Sequence, residues 1–267
     1  MAQQVRLGRE SEGRIARITL AAPERQNRLD WAMIGAMAEF VREVARSETV
    51  RALVIDAEGA DFCAGDRGAD MGAWPQAYAH RDPGGSHGVP PLPLTDLLGE
   101  LRSLPMPTVA ILGGEVADVG LDLACHCDIR LAAFDATFQD RRVANARFAA
   151  TGITYVLPRL VGLAGASRLL LFGERLDAAE ARRIGLVYRT VAADRLREEA
   201  EALVAGVAAM ATRSYALVKQ QVIEQLDMNY RTALMHSMAL RQTNIFEDRA
   251  EGQRAFVEKR APRFTGR

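Results

Sequence analysis

The stretch Gly113-Gly114-Glu115-Val116-Ala117-Asp118-Val119-Gly120-Leu121-Asp122-Leu123-Ala124 decides the reading of this chain. It follows the apolar run Val109-Ala110-Ile111-Leu112, which reads as a buried strand. Its small residues make a turn that opens a helix. The first N–H groups of a helix have no partner within it and carry partial positive charge. A second stretch of the same kind, Asp61-Phe62-Cys63-Ala64-Gly65-Asp66-Arg67-Gly68-Ala69-Asp70-Met71, follows the run Ala52-Leu53-Val54-Ile55. Two backbone N–H groups that converge on one oxygen form an oxyanion hole. Such a hole implies chemistry in which a carbonyl becomes an enolate or a tetrahedral anion.

Around these turns the chain has an ordinary globular balance. It has 267 residues, 49% of them hydrophobic and 25% charged. The net charge of zero gives no global attraction to nucleic acid or to an anionic membrane. Residues 1–10 lack the apolar core of a signal peptide. The longest apolar run, 202–211, is shorter than the roughly 20 residues that span a bilayer. Cys63, Cys125 and Cys127 are an odd set that fits free buried thiols in a reducing cytoplasm. Cys125-His126-Cys127 lacks the usual spacing of a metal site, so no metal is expected. Gly65-Asp66-Arg67-Gly68 is neither a P-loop nor a dinucleotide fingerprint, so neither ATP nor NAD is expected.

Along the chain, a hairpin spans Gln4–Leu7 and Ile15–Leu20. Asp30 caps a helix to about Ser47, with Ile34, Met37, Phe40, Val41 and Val44 at helical spacing. The segment 72–93, rich in proline and glycine and holding His80 and His87, reads as a long mobile loop, a class of segment often functional in compact domains. A helix near Thr95–Ser103 and a strand near Thr108–Leu112 come next, then short strands over Asp128–Ala132 and Ala136–Gln139. Asp177-Ala178-Ala179-Glu180 is a capping box, and Leu186–Val191 reads as the last strand. The organisation is an α/β core over 1–195 and a helical region over 196–267.

Taken in order, several segments resemble the crotonase, or enoyl-CoA hydratase/isomerase, superfamily. They are Pro23-Glu24-Arg25-Gln26-Asn27, Phe62-Cys63-Ala64-Gly65, Cys127-Asp128-Ile129-Arg130, Leu157-Pro158-Arg159-Leu160-Val161-Gly162, and Glu251-Gly252 through to Phe264. The resemblance runs nearly end to end. It implies a spiral of ββα turns with two nearly perpendicular sheets, and C-terminal helices that assemble a homotrimer or a dimer of trimers. It implies an acyl-CoA substrate with no further cofactor, and a thioester carbonyl held by the N–H groups of Asp66 and Val119. Arg25, Ala64 and Asp66 fall where the family lines its CoA pocket. Phe256 and Lys259 match positions that reach CoA from a neighbouring subunit.

The departures from the family pattern shape the expected chemistry. Asp118-Val119-Gly120 stands where three small residues are usual, so Val119 is expected to crowd the hole, and Asp118 reads as a helix cap. Hydratases of the family use two glutamates. At the first position stands Asp122, a methylene shorter, and at the second Arg142, which stays protonated and is no ordinary base. Asp140 is a second carboxylate candidate, paired with Arg141 or Arg142. The expected catalytic set is therefore Asp122, Asp140 and Arg142. Tyr155 is a lesser candidate donor to an enolate, and His126 reads as a packed histidine. The leading expectation is an enolate-forming acyl-CoA enzyme of the enoyl-CoA hydratase/isomerase type, working with one carboxylate. The alternatives are a CoA-independent β-diketone or C–C hydrolase and a non-catalytic scaffold. An RNA-binding role would need a lysine-rich helix, and Lys219 and Lys259 are the only lysines.

Overall fold

The computed structural model describes residues 4–72, 93–243 and 246–266. His80, His87 and nearly all of the expected 72–93 loop lie outside the described residues. The larger sheet begins with an antiparallel hairpin, β1 (Val5–Glu10) and β2 (Ile15–Leu20). Parallel pairing then runs from β2 to β3 (Ala52–Ala57), β4 (Thr108–Leu112), β6 (Ile129–Ala133) and β9 (Arg189–Val191). These parallel strands are apolar runs because both faces of the sheet are covered.

Alternation along each strand decides which face a residue serves. Leu53, Ile55, Ala110 and Leu112 share a core with Ile34, Met37, Val41 and Val44 of α1 (Trp31–Ala45) and with Leu97, Leu98 and Leu101 of α2 (Pro93–Ser103). Val54, Val109, Ile111 and Leu131 point the other way, against Ala200, Val204 and Val207 of α6 (Leu196–Ala208). Each such fully buried aliphatic side chain contributes about 1.5–3 kcal/mol. Helix α6, although it follows residue 195, thus completes the second face of the sheet.

The smaller sheet has the order β5-β7-β8, from Glu115–Ala117, Thr137–Gln139 and Leu176–Asp177. Parallel bridges at Cys63–Val116 and Leu29–Asp66 continue its edge towards the first glycine turn. Strand pairs β4-β5 and β6-β7 therefore repeat one step, a long strand in one sheet followed by a short strand in the other. Strand β5 corrects the expectation that the turn at Gly113 leads straight into a helix. Three residues after two glycines are too few for a period to show. Helix α3 (Val119–Cys125) follows and is buried along its whole length.

Helix α4 (Ile153–Leu170) breaks at Gly162, whose φ of 72° and ψ of 164° are non-helical. Asp177 caps α5 (Ala178–Arg183) by accepting from the Glu180 N–H at 2.8 Å. Helices α7 (Thr212–Glu224), α8 (Tyr230–Thr243) and α9 (Glu247–Glu258) complete the chain. Among the described residues no single helix is long and apolar enough to cross a membrane.

Candidate active site

The two glycine turns meet edge to edge. Cys63 and Val116 form a parallel bridge, and the Ala117 N–H donates to the Cys63 carbonyl at 2.9 Å. Three residues further along each segment stand Asp66, itself bridged to Leu29, and Val119. Val119 is the first residue of α3, so its N–H has no partner within the helix. Asp66 follows Gly65, whose carbonyl accepts from the Leu29 N–H at 2.9 Å. Neither the Asp66 nor the Val119 N–H donates to another described residue. Close approach of the turns requires glycine at 120, since a Cβ there would lie 2.4 Å from the Cys63 carbonyl oxygen.

The unusual backbone falls one residue before Val119. Val119 is a regular helical residue with its side chain buried. Asp118 takes the unusual backbone, with φ 50° and ψ −116°, a conformation that costs a non-glycine residue about 1–3 kcal/mol. Nor does the Asp118 side chain cap the helix. Its carboxylate accepts instead from the Arg141 N–H at 2.7 Å and from the Arg141 guanidinium at 3.1 and 3.3 Å. Asp66 is tied through its carboxylate to Arg147 and accepts the Gly68 N–H at 2.7 Å. Partial burial alone would raise the Asp66 carboxyl, but these bonds and the Arg147 charge hold it below the usual range.

The three candidate catalytic residues form one buried cluster. The Arg142 guanidinium donates to both oxygens of Asp122, at 2.7 and 2.8 Å. It also donates to Asp140, at 2.5, 3.0 and 3.1 Å. The Thr151 hydroxyl donates to Asp122 at 2.7 Å. Asp122, Asp140 and Arg142 are 0%, 2% and 4% exposed, so the cluster holds two carboxylates and one guanidinium away from water. Burial pushes the Asp122 carboxyl up; Arg142 and Thr151 oppose this, while the Asp140 charge adds to it. Burial alone would lower Arg142, but its two carboxylate partners hold it above its ordinary value.

Among the expected CoA-pocket positions, Ala64 is fully buried, with its N–H on the Gln26 carbonyl and its own carbonyl accepting from Arg141. Arg25 leans on Gln4 and on Asp30, and its Nε is buried without a partner. Phe256 is 85% exposed on α9, and Lys259 ends that helix at φ 52°. The single chain therefore brings Asp66, Val119, Asp122, Asp140 and Arg142 together and leaves Phe256 and Lys259 on an open surface. The Tyr155 hydroxyl donates to Asp227 at 2.6 Å, and its ring stacks under Arg159. Cys63 is pushed up to about 12 by burial, so it is no nucleophile at neutral pH.

Thr151 and Arg147 carried no local signal in the sequence, with partners 29 and 81 residues away, and Arg141, expected as a possible partner of Asp140, pairs instead with Glu115 and with Asp118, 23 residues away. Asn27 is a further participant. Its side chain accepts from the Ala22 N–H and donates to the Glu58 and Asp61 carbonyls, all at 2.8 Å, pinning the early loop to the first turn. A cleft of about 860 Å³ opens elsewhere, where α7 meets the ends of α1 and α2, and no residue of the hole or cluster lines it.

The fold is a two-sheet α/β scaffold, and known proteins share it. The family model for enoyl-CoA hydratase/isomerase matches residues 10–267, and the chain belongs to that family. It is 30% identical to a probable enoyl-CoA hydratase of Mycobacterium leprae over 263 residues, 95% of each protein. It is also 30% identical to the 1,2-epoxyphenylacetyl-CoA isomerase of Escherichia coli K12, over 94% of each. The crystal structure of an enoyl-CoA hydratase from Bacillus anthracis superposes with a TM-score of 0.87 at 24% identity, covering 99% of this chain and all of that one. That of a Mycobacterium smegmatis enoyl-CoA hydratase gives 0.82 at 30% identity, covering 97% and 98%.

Proposed function

We propose that this protein takes an acyl-CoA thioester and polarises its carbonyl between the N–H groups of Asp66 and Val119. The observation that carries this reading is the pair of N–H groups, on two turns bridged at Cys63 and Val116, that donate to nothing among the described residues. Fixed donors gain strength as the oxygen takes on charge, so they favour an enolate over the ground-state thioester. No redox cofactor or metal is needed, because a thioester already acidifies its α-carbon.

The proton side of the reaction belongs to the buried cluster. Two carboxylates against one guanidinium leave one formal negative charge, and burial favours uptake of a proton there. We assign that proton to Asp122, one helical turn beyond Val119, with Arg142 holding Asp122 and Asp140 holding Arg142. Hydration through two carboxylates is disfavoured, because the Arg142 guanidinium engages both oxygens of each carboxylate. A one-base proton transfer between enolate carbons, as in isomerisation, fits better.

A panel of enoyl-, β-keto- and aryl-CoA thioesters in H₂¹⁸O, read by mass spectrometry, tests this. The expected outcome is turnover without ¹⁸O, and a kcat for Asp122→Asn lower by about 10²–10⁴-fold. Product carrying ¹⁸O would overturn the one-base reading, and full activity in Asp122→Asn would overturn the proton assignment. The bidentate grip of Arg142 on Asp122 also suits a scaffold that binds acyl-CoA without converting it. Thioester binding with no turnover across the panel would favour that second reading. Absence of thioester binding would favour CoA-independent C–C hydrolysis.

Self-association, as a trimer or dimer of trimers, is part of the same proposal. Val218, Val222 and Leu226 on one face around α7, Leu234 and Met238 on α8, and Phe256 on α9 are exposed in the single chain. A partner subunit covering them would bring Phe256 and Lys259 to substrate. Light scattering should give the mass of three or six chains, and a monomer would remove this part.

A further inference from the structure

The two turns that carry the hole are joined by one side chain. Arg141 Nη2 lies 2.7 Å from the Ala64 carbonyl oxygen and 3.1 Å from Asp118 Oδ2, so a single nitrogen bridges them. The same guanidinium reaches Glu115 at 2.7 Å, and the Arg141 N–H holds Asp118 Oδ1 at 2.7 Å. We propose that Arg141 and Asp118 form a clip of positioning residues that sets the spacing and direction of the Asp66 and Val119 N–H groups. This rests on the oxyanion-hole reading above.

The argument follows the peptide planes. The Asp66 N–H belongs to the peptide after Gly65, and the carbonyl of that peptide is fixed by the Leu29 N–H. The peptide before Gly65 carries the Ala64 carbonyl, which Arg141 fixes. Gly65 is thus held at both ends in a φ of 108° that it would otherwise leave freely. On the other turn, the Asp118 N–H donates to the Gln139 carbonyl, and the Asp118 carbonyl accepts from the Asp122 N–H, each at 3.1 Å. Between them the Asp118 backbone sits in a strained conformation, and such strain persists only where the surroundings over-determine it. Arg141 supplies that constraint through the side chain.

The clip also has an electrostatic side. Asp118 stands one residue before the Val119 donor, and an unpaired carboxylate there would oppose a developing enolate. Arg141 neutralises it. Lysine offers a compact charge without the planar fork, so it cannot hold the carbonyl and both carboxylates together.

A chromophoric probe separates positioning from stability. An electron-rich arylacryloyl-CoA absorbs further to the red when its carbonyl is polarised. Wild-type protein is expected to bind it with a red shift. Arg141→Gln is expected to bind it within about threefold of wild-type affinity, to lose most of the shift, and to lower kcat about 10²-fold, as a misplacement near 1 Å does. Arg141→Lys should fall between. Thermal melting confirms that each variant is folded, and Arg141→Lys carries the test if Arg141→Gln does not fold. A folded variant that keeps the full shift and kcat overturns the clip while leaving the hole intact. Wild-type protein that fails to bind the probe, or binds it without a shift, overturns the hole and the clip together.

Discussion

Arg141 and Arg142 are consecutive in the chain and serve opposite environments. Arg141 is 27% exposed and spans a carbonyl and two carboxylates of the two glycine turns. Arg142 turns inward, 4% exposed, and spans two carboxylates with almost no water near them. The first fixes backbone and is paired with acids at a surface edge. The second lies between two buried carboxylates and offsets one of their two formal charges. What separates the two is the backbone: strand β7 ends at Gln139, and the chain turns as the Arg142 N–H donates to Asp140 at 2.9 Å. Position relative to water, not residue type, therefore separates the two arginines.

Removing the inner arginine tests this contrast hardest. Arg142→Met leaves Asp122 and Asp140 buried with no counter-charge, an arrangement that costs about 3–5 kcal/mol. Arg141→Met leaves acids that water can partly reach, and the expected loss is below about 2 kcal/mol. Urea denaturation of both variants measures the difference. Equal losses would mean that burial does not separate the two residues.

The sequence carried the parts of this molecule that depend on near neighbours. Leu53 to Ile55 and Val109 to Leu112 announce strands because both sheet faces are covered, and Asp30 and Asp177 announce helices because they bond three residues ahead. The pairing of Asp140 with Arg142 was open to inspection at a spacing of two. Asp118 misled for the same reason that Asp30 did not. Local logic makes it a cap, and a partner 23 residues away outcompetes the helix for its carboxylate. The Thr151 and Arg142 bonds to Asp122 depend on how α3, the loop after β7 and the start of α4 come together, and no short-range pattern encodes that.

His126 extends the inner cluster and gives it a pH signature. Its Nδ1 lies 2.7 Å from the Asp122 carbonyl, so the neutral ring carries its proton there. Burial holds the imidazole at about 4, against an ordinary value of 6.5. Between these values the unfolded chain binds a proton that the native protein refuses, so stability falls as pH drops from 6.5 to 4. At 1.36 kcal/mol per pH unit the loss reaches about 3 kcal/mol. Denaturation of wild type and His126→Gln at pH 7, 5.5 and 4 isolates this contribution as the difference between their slopes. Parallel slopes would show that the ring does not titrate as its burial implies.

The outer clip answers to a gentler change. Asp118→Asn keeps an acceptor for the Arg141 N–H but turns an amide NH₂ towards the Arg141 guanidinium, donor against donor. Charge-assisted bonds of this kind contribute about 1.5–3 kcal/mol when formed. Because the Arg141 N–H keeps its acceptor, the expected net loss is about 1–2 kcal/mol. The informative quantity is the coupling. In a double-mutant cycle with Arg141→Gln, the pair should show about 1–3 kcal/mol of interaction, because each residue is the other's partner. The same cycle read in kcat should show that the second substitution adds little to the first, since one broken clip already frees both turns. Additive losses in kcat would mean that Asp118 and Arg141 act on the hole separately, and the contrast between the two arginines would then rest on Arg142 alone.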